Sequence, residues 1–168
     1  MPIQGRKSQA VASALFVLLI LFIDQYLKYM VRQNLLAGES VPIISNILHI
    51  TFVTNTGAAF GLFKNATPVF VVISVVAVAF VAMLLIKIIQ QGGFFKRPMF
   101  NFSLILILSG AIGNLIDRLF FGYVIDFIDV RIWPVFNIAD SSITVGTLLL
   151  ILSFMRHKPC QIDKTRIV

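Results

Sequence analysis

Pro68-Val69-Phe70-Val71-Val72-Ile73-Ser74-Val75-Val76-Ala77-Val78-Ala79-Phe80-Val81-Ala82-Met83-Leu84-Leu85-Ile86-Lys87-Ile88-Ile89 is the stretch on which the fold turns. Only Ser74 and Lys87 interrupt its apolar character. About 20 such residues in a helix cross the hydrocarbon core of a bilayer. Pro68 suits a first helical turn, where its missing N–H goes unused. Three more apolar runs lie to either side: Ala10 to Ile23 with a helical pattern to Val31, Met99 to Leu119, and Ile138 to Met155. The third contains Gly110 and Gly113, small residues that let helices approach closely in lipid. The expected fold class is mainly α, a polytopic four-transmembrane-helix bundle. It forms a single membrane domain over 1–168, with spans near 10–31, 67–89, 99–119 and 138–156 and an outer segment at 32–66.

Composition agrees. The 168 residues are 58% hydrophobic and only 12% charged, and the mean hydropathy is +0.95. Soluble domains carry about twice that charge fraction. The formal charge of +7 arises from Lys and Arg scattered between apolar runs, so it builds no basic face for nucleic acid. Cys160 is the only cysteine, which excludes an internal disulfide and a Cys-based metal cluster. Arg6 and Lys7 before the first run imitate a signal peptide, but Asp24-Gln25-Tyr26-Leu27-Lys28 follows in place of a small-x-small cleavage site. The run therefore reads as an uncleaved span.

The positive-inside rule orients the chain. With the N-terminus inside, the inner segments hold Arg6, Lys7, Lys87, Lys96, Arg97, Arg156, Lys158, Lys164 and Arg166, nine of the 14 basic residues. Both termini are then cytoplasmic. The short turn around Gly92-Gly93 is also inside. Spans one and three run outward to Asp24 and Asp117, and span four starts outside with Asp140 in its first turn. Asp126 and Asp129 fall in the outer connection, in an apolar/acid alternation (Val124-Ile125-Asp126-Phe127-Ile128-Asp129) unusual for a simple solvated loop, with Asp126 read as irregular backbone. Five of the seven acidic residues thus gather at one membrane face. A carboxylate at that depth is costly unless paired, protonated or hydrated, which makes each a candidate functional residue. In the outer segment, Ser45 to Thr54 alternates enough for a strand or two, His49 among them, and Asn55-Thr56-Gly57 reads as a turn. Phe60, Leu62 and Phe63 suit a lipid surface, and Tyr123 and Trp133 an aromatic belt.

Three polar pairs recur at helical spacing: Asp24 with Lys28, Asn114 with Asp117, and Asn137 with Asp140. An amide one turn from a carboxylate can orient it and tune its proton affinity. Each pair also has a plain structural role, as an ion pair at a helix end, a charge pair of Asp117 with Arg118, or a cap on the fourth helix. Zinc hydrolysis lacks its histidines, because neither His49 nor His157 belongs to an HExxH-like pattern. Ser141 and Ser142 have no histidine base. An aspartyl mechanism needs only what is present: two carboxylates that share a proton, one activating water and one protonating the scissile carbonyl. No metal, redox cofactor or nucleic acid is implied. Two other classes remain, a small transporter or ion pathway using the acids as a relay, and a structural lipid-binding subunit. The first calls for carboxylates spread through the membrane, whereas spans two and three offer little polarity at depth. Nothing at this level selects Asp126 over Asp117 as a reacting group.

Five blocks in order resemble the lipoprotein signal peptidase (signal peptidase II) family of bacterial aspartyl membrane peptidases. They are Asp24-Gln25-Tyr26-Leu27-Lys28, Asn55-Thr56-Gly57-Ala58-Ala59-Phe60, Gly110-Ala111-Ile112-Gly113-Asn114-Leu115-Ile116-Asp117-Arg118, Val124-Ile125-Asp126-Phe127-Ile128-Asp129 and Phe136-Asn137-Ile138-Ala139-Asp140. The resemblance covers nearly the whole chain. It implies a catalytic dyad of Asp126 and Asp140, with supporting roles for Asp24, Lys28, Asn55, Gly57, Asn114, Asp117, Arg118, Asn137 and Ala139. It also implies a diacylglyceryl prolipoprotein substrate cut on the N-terminal side of the lipidated cysteine, and a bacterial inner-membrane location with the site near the outer face. A small extracytoplasmic β element and a short amphipathic segment would complete the fold. Ser109 stands where the family often has Gly, and the Asp129 to Phe136 connection is short. A monomer in contact with membrane lipid is the simplest assembly, since one chain supplies the whole site.

Overall fold

A computed structural model describes residues 3–57, 67–91 and 97–156. The expectations for Phe60, Leu62 and Phe63, the Gly92-Gly93 turn, His157 and Cys160 fall outside the described residues. Four helices are long and apolar enough to cross a membrane: α1 (Ile3–Asn34), α2 (Thr67–Gln90), α3 (Pro98–Phe121) and α4 (Ile138–Arg156). Three strands, β1 (Ser40–Ile44), β2 (Leu48–Asn55) and β3 (Val124–Asp129), form one antiparallel sheet in that order.

α3 is the hub, packing against each of the other helices. Leu104, Ile105 and Leu108 meet Val81 and Leu85 of α2 in one apolar cluster. On its other side α3 approaches α4 closely at its glycines. A Cβ at Gly110 would overlap the Ala139 carbonyl, and one at Gly113 would sit 2.8 Å from the Asp24 carboxylate. α3 opens with Pro98 in its first turn and closes at Gly122, which takes φ 79° and donates its N–H to the Arg118 carbonyl. α2 buries only Val81 and Leu85 and otherwise turns its Val and Ile side chains outward, as a lipid-facing helix does.

α1 begins seven residues before and ends three residues after the expected span, because an apolar pattern marks only the lipid-immersed part of a helix. α3 also proves more polar than the sequence reading allowed. Asn101, Ser103 and Ser109 are buried, with Gln9, Ser13 and Ser153 from its neighbours. The hydroxyls of Ser13, Ser103 and Ser109 donate to carbonyls within their own helices, at 2.9, 2.6 and 2.7 Å.

The larger correction concerns Asp126, which lies in a strand and not in irregular backbone. β3 pairs with β2, with Asn55 opposite Val124 and Val53 opposite Asp126. Its other edge is bound by Phe136, whose carbonyl accepts from Phe127 and Ile128 and whose N–H donates to Ile128. With both edges held, alternate side chains of β3 point to opposite faces. Ile125 and Phe127 join Val31 and Phe52 in a second apolar cluster. Val124 and Asp126 face the other way, into a cavity. β1 supplies the outer edge, and all five of its residues are exposed.

Candidate active site

Three elements bring the polar residues together. α1 contributes Asp24, Gln25 and Lys28 from one helical face. α3 contributes Asn114, Asp117 and Arg118 from its last turns. The junction of β3 with α4 contributes Asp126, Asn137, Ala139 and Asp140. Their convergence depends on Gly113, which lets Asp24 reach α4 past α3.

The innermost layer is an ion cluster. Lys28 Nζ lies 2.8 Å from both Asp24 and Asp117, and all three side chains are essentially fully buried. Its third contact is Asn114 Oδ1 at 3.1 Å. Each carboxylate then fixes backbone. Asp24 Oδ1 accepts from the Ala139 N–H at 2.9 Å, and Asp117 Oδ2 from the Ile125 N–H at 3.1 Å. The cluster thereby ties the start of α4 and the start of β3 to α1 and α3. A buried pair of this kind contributes little net stability when complete, but losing one partner strands a charge at a cost of about 3–5 kcal/mol.

Two amides transmit this order to the cavity. Asn114 donates to Asp140 Oδ1 at 2.7 Å. Asn137 donates to Asp126 Oδ1 at 2.7 Å and to Asn114 Oδ1 at 3.1 Å. Asn137 also caps α4. Its side-chain oxygen accepts from the Asp140 N–H at 2.8 Å, while Asp140 Oδ2 accepts from the Asn137 N–H at 3.3 Å, a reciprocal capping box. The capping and site roles of Asn137 are thus one arrangement. Asn55, on β2, donates to Asp126 Oδ2 at 3.0 Å. It is held by accepting the Gly57 N–H at 3.1 Å.

Asp126 and Asp140 line one cavity of about 310 Å3 with Asn55, Gly57, Asn114 and Arg118, closed on one side by Trp133 to Phe136. Burial raises the Asp126 carboxyl to about 7, reinforced by the Asp140 charge and opposed by the amides of Asn55 and Asn137 and the Lys28 charge. Asp129, five strand residues from Val124, behaves differently. Burial pushes it up, but the Thr51 hydroxyl and Arg131 hold it below the usual carboxylate range. It serves the sheet and not the cavity, accepting from Thr51 at 2.8 Å and pairing with Arg131 at 3.1 Å.

The eleven residues that the family resemblance implies fall in this assembly, whereas Asp129 does not. The proposed charge pair of Asp117 with Arg118 does not form: Asp117 turns to Lys28, while Arg118 reaches toward the cavity and the face of Phe70, 5.5 Å away. Gln25 was missed. Its side-chain amide reaches Asp117 at 3.0 Å and both Asp24 and the Gly113 carbonyl at 3.2 Å, joining α1 to α3 beside the ion cluster. Its place within the Asp24 to Lys28 block was the available signal. Among the described residues, no group of three His, Cys, Asp or Glu is placed to hold a metal.

A family model described as "Signal peptidase (SPase) II" matches residues 16–156. The lipoprotein signal peptidase of Moorella thermoacetica is 50% identical over 136 residues, covering 81% of this chain and 87% of its own. That of Halothermothrix orenii is 46% identical, covering 81% and 90%. Among solved structures, a bacterial membrane enzyme determined by the in meso method at 2.3 Å resolution superposes with a TM-score of 0.76 at 30% identity, covering 89% of this chain and 94% of that one.

Proposed function

The chain belongs to the signal peptidase II family of membrane proteases that remove signal peptides from prolipoproteins, and from that premise we propose that it is an aspartic endopeptidase whose reacting groups are Asp126 and Asp140. The observation that carries this reading is their placement. The two carboxylates come from separate elements, line one cavity and are joined through the hydrogen-bonded amides of Asn114 and Asn137.

One proton is shared by the pair. Asp126, desolvated and beside the Asp140 charge, carries it. Asp140 sits in the first turn of α4, where the helix dipole and two N–H donors favour negative charge. In the reaction, Asp140 takes a proton from water as the water oxygen attacks the scissile carbonyl carbon. Asp126 gives its proton to the carbonyl oxygen, leaving a neutral tetrahedral diol. Collapse returns the diol hydroxyl proton to Asp126, while Asp140 passes its proton to the departing amide nitrogen and the C–N bond breaks. Both carboxyls end as they began. Asp24 and Asp117 act through the backbone they hold, Lys28 pairs with both, and Asn55, Asn114 and Asn137 orient the dyad. Gly57 and Arg118 line the cavity, and Ala139 fixes the start of α4 through its N–H to Asp24 and its close packing on Gly113.

The substrate in this reading is a diacylglyceryl prolipoprotein cut before the lipidated cysteine. Both termini are cytoplasmic and the cavity lies near the outer face, supported by the excess of Lys and Arg at the other end of the spans. The enzyme works as a monomer surrounded by lipid. The test is cleavage of a purified lipidated prolipoprotein in detergent with a chelator present. Wild-type protein should cut it, and Asp126→Asn and Asp140→Asn should each be inactive while remaining folded. Near-normal turnover by either variant sinks the dyad.

A further inference from the structure

A small cavity of about 150 Å3 lies at the sheet-bearing end of the bundle, where α1 and α3 terminate. Gln25, Lys28, Tyr29, Arg32, Phe121 and Ile125 line it. It shares no lining residue with the cavity of Asp126 and Asp140. Ile125 borders the one space and Asp126 the other, as neighbours on a strand that point to opposite faces. Lys28 and Asn114, bonded to each other, likewise face one space each.

Two of the polar lining groups are already committed. Lys28 Nζ has three protons, and its contacts are Asp24, Asp117 and Asn114. The Gln25 amide nitrogen reaches Asp24, Asp117 and the Gly113 carbonyl. Arg32 differs. Among the described residues it makes no salt bridge. Its guanidinium lies over the Phe121 ring, 4.2 Å from the centroid. Such a stack holds the planar group by its face and leaves N–H donors at its edge. Tyr29, 57% exposed, brings a hydroxyl to the same cavity. A cation in the last turn of α1 also suits the helix dipole. The dipole accounts for neither the stack nor the cavity beside it.

We infer that this cavity seats the phosphate of an anionic phospholipid headgroup, held by the Arg32 guanidinium on its Phe121 shelf. A guanidinium binds phosphate through two parallel N–H···O bonds. The cavity is smaller than the roughly 300 Å3 at which drug-sized sites begin, which fits a headgroup and not a whole ligand. No carboxylate lines it, so the ammonium of a zwitterionic headgroup finds no counter-charge there, whereas a glycerol headgroup needs none. The acyl chains have a path along α1. Phe22, Tyr26 and Tyr29 are exposed and spaced four and three residues apart, hence on one helical face. Phe22 stacks on Tyr26 with ring centroids 5.8 Å apart. On a membrane-spanning helix such a face meets lipid, with tyrosines at the headgroup level. A free phosphate ion presents the same oxygens and is the competing ligand. The inference concerns lipid binding alone and stands or falls apart from the peptidase reading.

The experiment titrates the delipidated full chain in detergent with dioleoylphosphatidylglycerol or dioleoylphosphatidylethanolamine and counts bound lipid by native mass spectrometry. Wild-type protein should hold one phosphatidylglycerol about tenfold more tightly than phosphatidylethanolamine, the yield of a charge-assisted hydrogen bond. Arg32→Gln should abolish that preference. Equal retention of phosphatidylglycerol by wild-type protein and Arg32→Gln overturns the site. Displacement of the lipid by millimolar inorganic phosphate gives the cavity to a free anion and overturns the lipid assignment. Tyr29→Phe, a change at an exposed position, keeps the test intact should Arg32→Gln unfold. It should weaken phosphatidylglycerol about threefold, the worth of one neutral hydrogen bond, and leave phosphatidylethanolamine unchanged. An unchanged phosphatidylglycerol affinity in that variant counts against the site. Position is read with phosphatidylglycerol carrying a headgroup diazirine. The label should appear on peptides spanning 25–32 and 121–125. Labelling confined to 133–145 places the lipid beside Asp140 and overturns the proposal.

Discussion

In the proposed dyad, the protonation of Asp126 sets how activity depends on pH. Asp126 is raised from its ordinary 3.8 to about 7, chiefly by burial. Cleavage that needs its proton should therefore hold below neutrality and fall about tenfold per pH unit well above 7. A profile flat to pH 9 on the free enzyme removes Asp126 from the acid role. The same shift bears on stability. A carboxyl whose folded pKa is raised contributes stability that is full below the unfolded value, near 3.8, and is lost as pH rises through about 7. Asp126→Asn abolishes that loss, so it should raise Tm more at pH 8 than at pH 5. An equal change at both values contradicts the burial argument. Lys28 presents the opposite case, a cation whose removal leaves two buried carboxylates without their partner. Lys28→Met should cost about 3–5 kcal/mol of unfolding free energy in detergent. A loss under about 1 kcal/mol would mean that water reaches the cluster.

At the level of elements, the site is an agreement between helix packing and strand pairing. The ion cluster holds the first residues of β3 and α4 through the Ile125 and Ala139 N–H groups, so its geometry governs where Asp126 and Asp140 project. Gly113 is the point of closest approach in that arrangement. Gly113→Ala places a methyl against Asp24 and Ala139, and overpacking of this kind costs about 1–3 kcal/mol. The expected result is a kcat at least about tenfold lower, with a modest fall in Tm. Gly122→Ala is the control: nothing crowds it, but its positive φ strains a side chain, so stability should fall while cleavage survives. Equal activity in the two variants would detach the α1–α3–α4 contact from catalysis. The four helices were legible because each carries its own apolar signal. The strands were legible only in part. The core of β2 alternates, but β1 is wholly exposed, and β3 carries two aspartates, a residue poorly suited to strands. β3 exists because β2, some 70 residues earlier in the chain, lies on one edge and Phe136 on the other. Local sequence does not announce such long-range pairing, which is why Asp126 read as a loop residue.

The whole molecule turns a small set of helix ends into a site at one end of the bundle. α3 has 24 residues, about 36 Å of helix, and spans the roughly 30 Å hydrocarbon core with a turn to spare. Asp117 lies near one end of it, the end that also carries the sheet, while Pro98 and the adjoining Arg97 lie at the other. The proposed reading puts the carboxylates near headgroup depth, where water can enter. The proposed function requires a defined orientation, with the dyad on the side where the mature part of a lipoprotein precursor emerges. The expected orientation rests on a bias in Lys and Arg, a property of the whole chain that no single residue carries. Two cysteine probes test it. Cys160, the only native cysteine, should resist a membrane-impermeant maleimide in intact spheroplasts and react once they are permeabilised. In a Cys160→Ser background, Ile132→Cys should react without permeabilisation, since Ile132 is 93% exposed in the connection that closes the cavity. The reverse pattern would put the dyad on the cytoplasmic side, where the proposed substrate does not present its cleavage site.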